Sequence, residues 1–298
     1  MEVAITGSGG VAHPCDGVLR CSSYRRVVSD LVARVIAAVL TFAHCAIVAA
    51  QVPDLAREQR LANQISDAIL DGEVQLLDDG KGHRFLTIYM QSDRRPARGT
   101  VVLMHGRGLH PDWVSVIQPL RVGLAEQGWN TFSIQLPVLE KEARYYDYLP
   151  LFGSAMPRIE AALEEARQRD PGPVVLLAHS CGAHMAQHWV LRRGESALER
   201  FDGFIGIGMG ATDVGQPMRE PFALSQMPMP VLDLYAEHDY PAVHRLAGRR
   251  QAAMLKGGNR FSEQLVVPDA EHYFVDRGDA LLAAVGGWLR RAYPVRVR

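Results

Sequence analysis

The chain carries no surplus of either charge: 32 Lys and Arg stand against 33 Asp and Glu, a net charge of −1. Nucleic-acid binding needs a basic face that neutralises phosphates, so the composition argues against that class. Cysteine is scarce, with four among 298 residues and no Cys-x-x-Cys pair. A disulfide scaffold and a structural zinc site are both excluded as expectations. There is no internal repeat, no low-complexity stretch, and no Pro- or Gly-rich linker after residue 51. What is present is a chain 48% hydrophobic and 22% charged, long enough for a full-sized core.

The first 50 residues read differently from the rest. Gly, Ser and Cys crowd positions 7–23, Arg25 and Arg26 follow, and an apolar run extends from Val35 to Ala50 with His44 inside it. A basic flank, a short apolar stretch and small residues at Val48 and Ala50 are the layout of a secretory signal cleaved before Gln51. The signal is late, which fits a start placed upstream of the true one. The run spans 16 residues, fewer than the about 20 of a membrane helix. The expected division is therefore an extension over 1–50 and one domain over 51–298. Export to a bacterial periplasm is the expected destination. A retained inner-membrane anchor is the alternative, with segment 31–50 as the sole membrane contact.

From about residue 73 onward, strand-like and helix-like patterns alternate. Helical spacing marks 55–70, and Val74 to Met90 suggests a hairpin turning at Asp78-Asp79-Gly80. Six short apolar runs follow, at Thr100–His105, Trp129–Gln135, Val174–Ala178, Phe204–Met209, Val231–Tyr235 and Gln264–Val267. Amphipathic stretches near 114–127, 154–169, 182–193, 241–255 and 278–292 separate or follow them. Continuous apolar strands alternating with helices imply an α/β fold, a mainly parallel sheet covered on both faces.

One strand leads into Ala178-His179-Ser180-Cys181-Gly182 and then a helix. That is the nucleophile-elbow pattern Gly-x-Ser-x-Gly, with Ala178 in the first glycine's place. A serine hydroxyl is a weak nucleophile and needs a base, which in turn needs a carboxylate. His272 follows the last strand and Asp239 follows the strand before it, giving the order Ser, acid, His. Glu237 and Asp213 are the rival acids, and Asp233, lying mid-strand, reads as structural.

A second glycine-rich turn, His105-Gly106-Arg107-Gly108, ends the strand at Val101. A tetrahedral intermediate needs preorganised donors for its oxyanion. The backbone N–H groups of Cys181 and Arg107 are the natural pair. His105 is expected to brace this loop, and the Arg107 side chain to face solvent or, less commonly, an anionic substrate. Trp113 and Tyr146 are candidate substrate-binding walls, and Asp112 a candidate helix cap. His184 and His188 lie four apart on one helix, but no Glu follows the first, so metal is not expected there. Only the 20 or so residues from Gly210 to Pro230 are available for a lid.

On these motifs the chain resembles the α/β-hydrolase superfamily over about residues 74–293. More narrowly it resembles a bacterial branch known as domain of unknown function 3530. The narrower likeness rests on His105-Gly106-Arg107-Gly108, His110-Pro111-Asp112-Trp113, Gly128-Trp129, Ser133-Ile134-Gln135-Leu136-Pro137, the Ser180 elbow, and Leu232-Asp233-Leu234-Tyr235 running on to Asp239. The resemblance implies serine-hydrolase chemistry and no particular substrate; the residues themselves are read as acting on an ester or related acyl bond of a small-molecule or acyl substrate, with no cofactor. A non-catalytic binding or envelope-assembly protein on the same fold, or an acyltransferase, are the alternatives.

Overall fold

The computed structural model describes residues 52–294, within a compact unit spanning Gln51–Arg298. The signal and anchor readings of residues 1–50 lie outside the described residues. No described helix is long and apolar enough to cross a membrane.

Eight strands form one sheet: β1 (Glu73–Asp78), β2 (Arg84–Met90), β3 (Thr100–Met104), β4 (Asn130–Ile134), β5 (Val174–His179), β6 (Gly203–Ile207), β7 (Val231–His238) and β8 (Glu263–Glu271). Their spatial order is β1-β2-β4-β3-β5-β6-β7-β8. Only β1–β2 and β2–β4 pair antiparallel; the remaining pairs are parallel. The hairpin turns where the acidic sequence suggests, with Asp78 accepting from Gly80 N–H at 2.7 Å.

Six helices matter for the argument: α1 (Leu55–Ser66), α2 (Ile117–Glu126), α3 (Phe152–Arg169), α4 (Cys181–Arg193), α5 (Pro241–Gly257) and α6 (Gly278–Ala292). Each parallel crossover from β4 to β8 contains a helix or helical turn, as this connectivity requires. Every residue of β3, β4, β5 and β6 is buried. That is why β3, β5 and β6 read as almost continuous apolar runs, while β4 buries Asn130, Thr131 and Ser133 among its apolar residues.

Alternation of side chains across the sheet divides the apolar residues between two cores. Val102, Met104, Leu176, Ala178 and Phe204 face one core with α3 and α4. Val101, Leu103, Val175, Leu177 and Ile205 face the other with α2 and α6. Each large apolar side chain so buried contributes about 1.5–3 kcal/mol relative to exposure. Helix α4 is covered from Cys181 through Val190 and ends in Arg192 and Arg193. Those two cations sit at the negative end of its dipole.

Buried ion pairs anchor the connections. Arg158 of α3 donates to Glu58 of α1 at 2.9 and 3.2 Å. Arg250 of α5 holds Asp233 on β7 through its Nε at 2.8 and 2.9 Å, and its Nη1 donates to Met209 O at 2.8 Å. Asp233 is thus the structural residue that its mid-strand place suggests. Asp112 is not a helix cap. The residue before α2 is Val116 and supplies no side-chain cap, while Asp112 accepts from buried Arg121 at 2.7 and 3.2 Å. A solvent-facing cap would have left that guanidinium without a counter-charge in the core. The β6–β7 connection holds one 3-10 turn, Leu224–Gln226, and no inserted helical lid.

Candidate active site

The site lies at the carboxyl ends of the parallel strands, where loops from neighbouring strands converge. Strand β5 stops at His179, and Ser180 takes φ 54°, ψ −121° before α4 begins. This left-handed backbone is strained for a residue with a Cβ and is retained only where the surroundings impose it. Two features impose it here. Ser180 N–H donates to Ile207 O on β6 at 2.7 Å. Two residues on, a Cβ at Gly182 would overlap the carbonyl oxygen of His105 and lie 3.2 Å from that of Met104. Glycine therefore lets α4 start directly against the loop after β3. Ala178, in the first glycine's place, is fully buried and packs into the core on the α3–α4 face.

The side chains of Ser180, His272 and Asp239 come together from β5, β8 and β7. Ser180 Oγ lies 2.9 Å from His272 Nε2, and His272 Nδ1 lies 2.6 Å from Asp239 Oδ1. All three residues are buried, with Ser180 the most accessible at 8%. Asp239 also accepts from the N–H groups of Tyr240 at 2.8 Å and Ala236 at 3.2 Å. Burial alone would raise its pKa, but the His272 hydrogen bond and charge, with these backbone donors, hold it below the ordinary carboxylate value. The imidazole lies over the Tyr240 ring, centroids 4.3 Å apart. Gly208, at φ +62°, leaves room for the imidazole ring, since a Cβ there would come within 2.8 Å of His272 Cε1.

The rival acids are engaged elsewhere. Glu237 accepts from Asp269 N–H at 2.8 Å. Asp213 forms a two-point ion pair with Arg107 and accepts from Tyr145 N–H at 2.7 Å. Arg107 is therefore neither a purely solvent-facing side chain nor an uncommitted anion receptor.

The loop after β3 is braced as the sequence suggests. His105 Nδ1–H donates to Gly106 O at 2.8 Å, and its Nε2 accepts from Leu136 N–H at 2.9 Å and from the Gln135 amide at 3.0 Å. Burial pushes its pKa down to about 3, so it stays neutral and structural. Among the described residues, the backbone N–H groups of Arg107 and Cys181 donate to no protein acceptor. The Cys181 thiol is pushed up to about 12 by burial, which keeps it protonated and unreactive.

The two histidines of α4 have separate partners. His184 Nε2 accepts from Gly210 N–H at 2.8 Å, whereas His188 Nδ1–H donates to Glu220 at 2.8 Å. His179 donates from Nε2 to the His272 carbonyl at 3.1 Å and so supports the loop that carries it.

Ser180 opens into a cavity of about 250 Å³ whose walls include Arg107, Asp213 and the rings of Tyr145, Tyr240 and Tyr273. Neither Trp113 nor Tyr146 lines it. Trp113 packs edge-to-face on His110 and against the core on the α2–α6 face. Tyr146 is turned away from the cavity. Its hydroxyl donates to Pro217 O at 3.1 Å and the Arg219 guanidinium lies 3.8 Å above its ring. Adjacent residues on a helical turn point about 100° apart, so Tyr145 and Tyr146 take different surroundings. Tyr240 and Tyr273 were legible only as neighbours of Asp239 and His272.

Residues 41–147 match the family model described as "Protein of unknown function (DUF3530)". The matched stretch includes the Arg107 loop and stops before Ser180. No curated protein matches the chain. Among solved structures, an α/β serine hydrolase without lid from Xanthomonas campestris is 17% identical, with 77% of this chain and 98% of that one covered and a TM-score of 0.54. Dienelactone hydrolase from Anabaena variabilis is 17% identical over 75% and 98%, with a TM-score of 0.55. Est1E from Butyrivibrio proteoclasticus with ferulic acid bound is 11% identical over 73% and 98%, with a TM-score of 0.56. The likeness is one of architecture, and the chain has the α/β-hydrolase fold.

Proposed function

We propose that this protein is a serine hydrolase cleaving an ester or related acyl bond through an acyl-enzyme. The observation that carries the reading is the continuous chain of hydrogen bonds from Ser180 Oγ through His272 to Asp239, at 2.9 and 2.6 Å. Ser180 Oγ attacks the acyl carbon while His272 Nε2 takes its proton. The buried Asp239 carboxylate holds Nδ1–H, which fixes the imidazole tautomer and stabilises the cation as it forms. The carbonyl oxygen, now an oxyanion, is received by the N–H groups of Cys181 and Arg107. One such donor is worth about 3–4 kcal/mol of barrier. Collapse expels the alcohol, which takes the proton back from His272. Water then repeats the sequence and releases the acid.

This chemistry needs no cofactor, and the assignment is tested without knowing the natural substrate. An alkyl fluorophosphonate forms a phosphorus–oxygen bond to an activated serine, with loss of fluoride and transfer of the serine proton to the base. Intact-mass spectrometry and peptide mapping should place the adduct on Ser180. A protein that stays unmodified while a trypsin control reacts is a non-catalytic member of the fold.

A further inference from the structure

The cavity beside Ser180 is lined by eleven residues, of which only Arg107 and Asp213 carry formal charge at neutral pH. Those two charges are spent on each other. Both terminal nitrogens of Arg107 donate to Asp213, Nη2 to Oδ1 at 3.2 Å and Nη1 to Oδ2, and both side chains are about three-quarters covered. The carboxylate is also fixed from behind by Tyr145 N–H at 2.7 Å. The residues that follow it are tied down as well, with Arg144 donating to Val214 O and Tyr146 N–H donating to Gln216, each at 2.9 Å. Asp213 cannot swing away without breaking this set.

From this arrangement we infer that the cavity selects acyl substrates whose acyl chain bears no formal charge, and that the Arg107–Asp213 pair enforces the selection. The inference rests on the serine-hydrolase reading above. An incoming carboxylate finds its natural partner, the guanidinium, already held at two points by a tethered carboxylate. It must displace Asp213 and leave that anion unpaired, or remain beside it as a second negative charge in a confined space. A cationic chain meets the converse problem at Asp213. An uncharged chain leaves the pair intact and contacts the rings of Tyr145, Tyr240 and Tyr273. The pair also connects the loop after β3 to the β6–β7 connection and, through Tyr145, to the segment after β4. A charge lost from either side therefore changes what the cavity accepts.

The test compares two fluorophosphonates that differ only at the end of the alkyl chain, a methyl group in one and a carboxylate in the other. The full-length protein and two variants are labelled at Ser180 and the second-order rate constants are measured. Wild-type protein should react at least tenfold faster with the methyl probe. Asp213→Asn leaves Arg107 unpaired, so the methyl-to-carboxylate rate ratio should fall at least tenfold. Arg107→Gln keeps the backbone N–H but leaves Asp213 unpaired, so the ratio should rise. A merely structural pair would slow both probes alike and leave the ratio unmoved. Equal rates with the two probes in wild type, or the same direction of change in both variants, overturns the inference. If one variant does not fold by circular dichroism, the other and the wild-type ratio still decide it. Absence of labelling by either probe in any protein rejects the serine-hydrolase reading itself, an outcome distinct from labelling without discrimination.

Discussion

Gly182 lies so close to His105 that a single methyl group on it would overlap the His105 carbonyl oxygen. This contact joins the helix that follows Ser180 to the loop that carries Arg107, and Cys181 and Arg107 both line the cavity beside Ser180. Gly182→Ala should therefore do more than perturb a helix, since Ala ordinarily favours helices. The backbone has to separate, at a cost of about 1–3 kcal/mol as for other overpacked sites. Urea unfolding should show the lower stability, and fluorophosphonate labelling should slow more than tenfold. A Gly182→Ala variant as stable and reactive as wild type would show that the two segments are not rigidly coupled.

Ser180→Ala should fold normally and lose ester hydrolysis, by a factor near 10⁶ in kcat as known for such serines. The readout is turnover of a short-chain model ester, with circular dichroism as the fold control. Retention of a tenth of wild-type turnover would remove Ser180 from the nucleophile role.

Asp239→Asn should lower kcat by about 10⁴, because an amide cannot hold the productive histidine tautomer. Asp213→Asn should cost under tenfold on an uncharged ester, since Asp213 bonds Arg107 and Tyr145 rather than His272. A reversed order of the two effects would move the acid to the β6–β7 connection.

Acid should destabilise the fold in a way traceable to particular histidines. His105, His179 and His184 are fully buried, and burial lowers each pKa to about 3 from 6.5. Between these values the unfolded chain binds protons that the folded chain refuses, so stability falls as pH drops from 6.5 toward 3. The slope is up to about 1.4 kcal/mol per pH unit per histidine. Thermal unfolding at pH 7, 6, 5 and 4 should show the decline, and His184→Gln should make it shallower by about one proton. An unchanged slope in that variant would mean that His184 accepts a proton in the folded protein.

Much of the fold was legible because its signals are local. Strands β3, β5 and β6 are buried on both faces and read as almost continuous apolar runs, whereas β4 is equally buried but carries Asn130, Thr131 and Ser133. Helices α2 to α6 show their own periodicity. Ser180, Asp239 and His272 could be picked out because each sits just past a strand, and strand ends in a parallel sheet share one edge. The brace role of His105 followed from its position one residue before Gly106. What could not be read there depends on which way a loop side chain faces, and that is set by partners far along the chain. Tyr145 rather than Tyr146 lines the cavity, the Tyr146 side chain being engaged by Pro217 and Arg219, more than 70 residues on. Asp112 looks like a helix cap until Arg121 is seen buried against it. Trp113 belongs to the α2–α6 core, and Arg107 is committed to Asp213 across 106 residues of sequence. The sequence by itself determined the sheet, its helices and the order of Ser180, Asp239 and His272 at strand ends, because periodicity and strand ends are properties of short segments. Only the tertiary structure decided the walls and the charge of the cavity, because these arise where separate loops meet and compete for the same hydrogen-bonding groups.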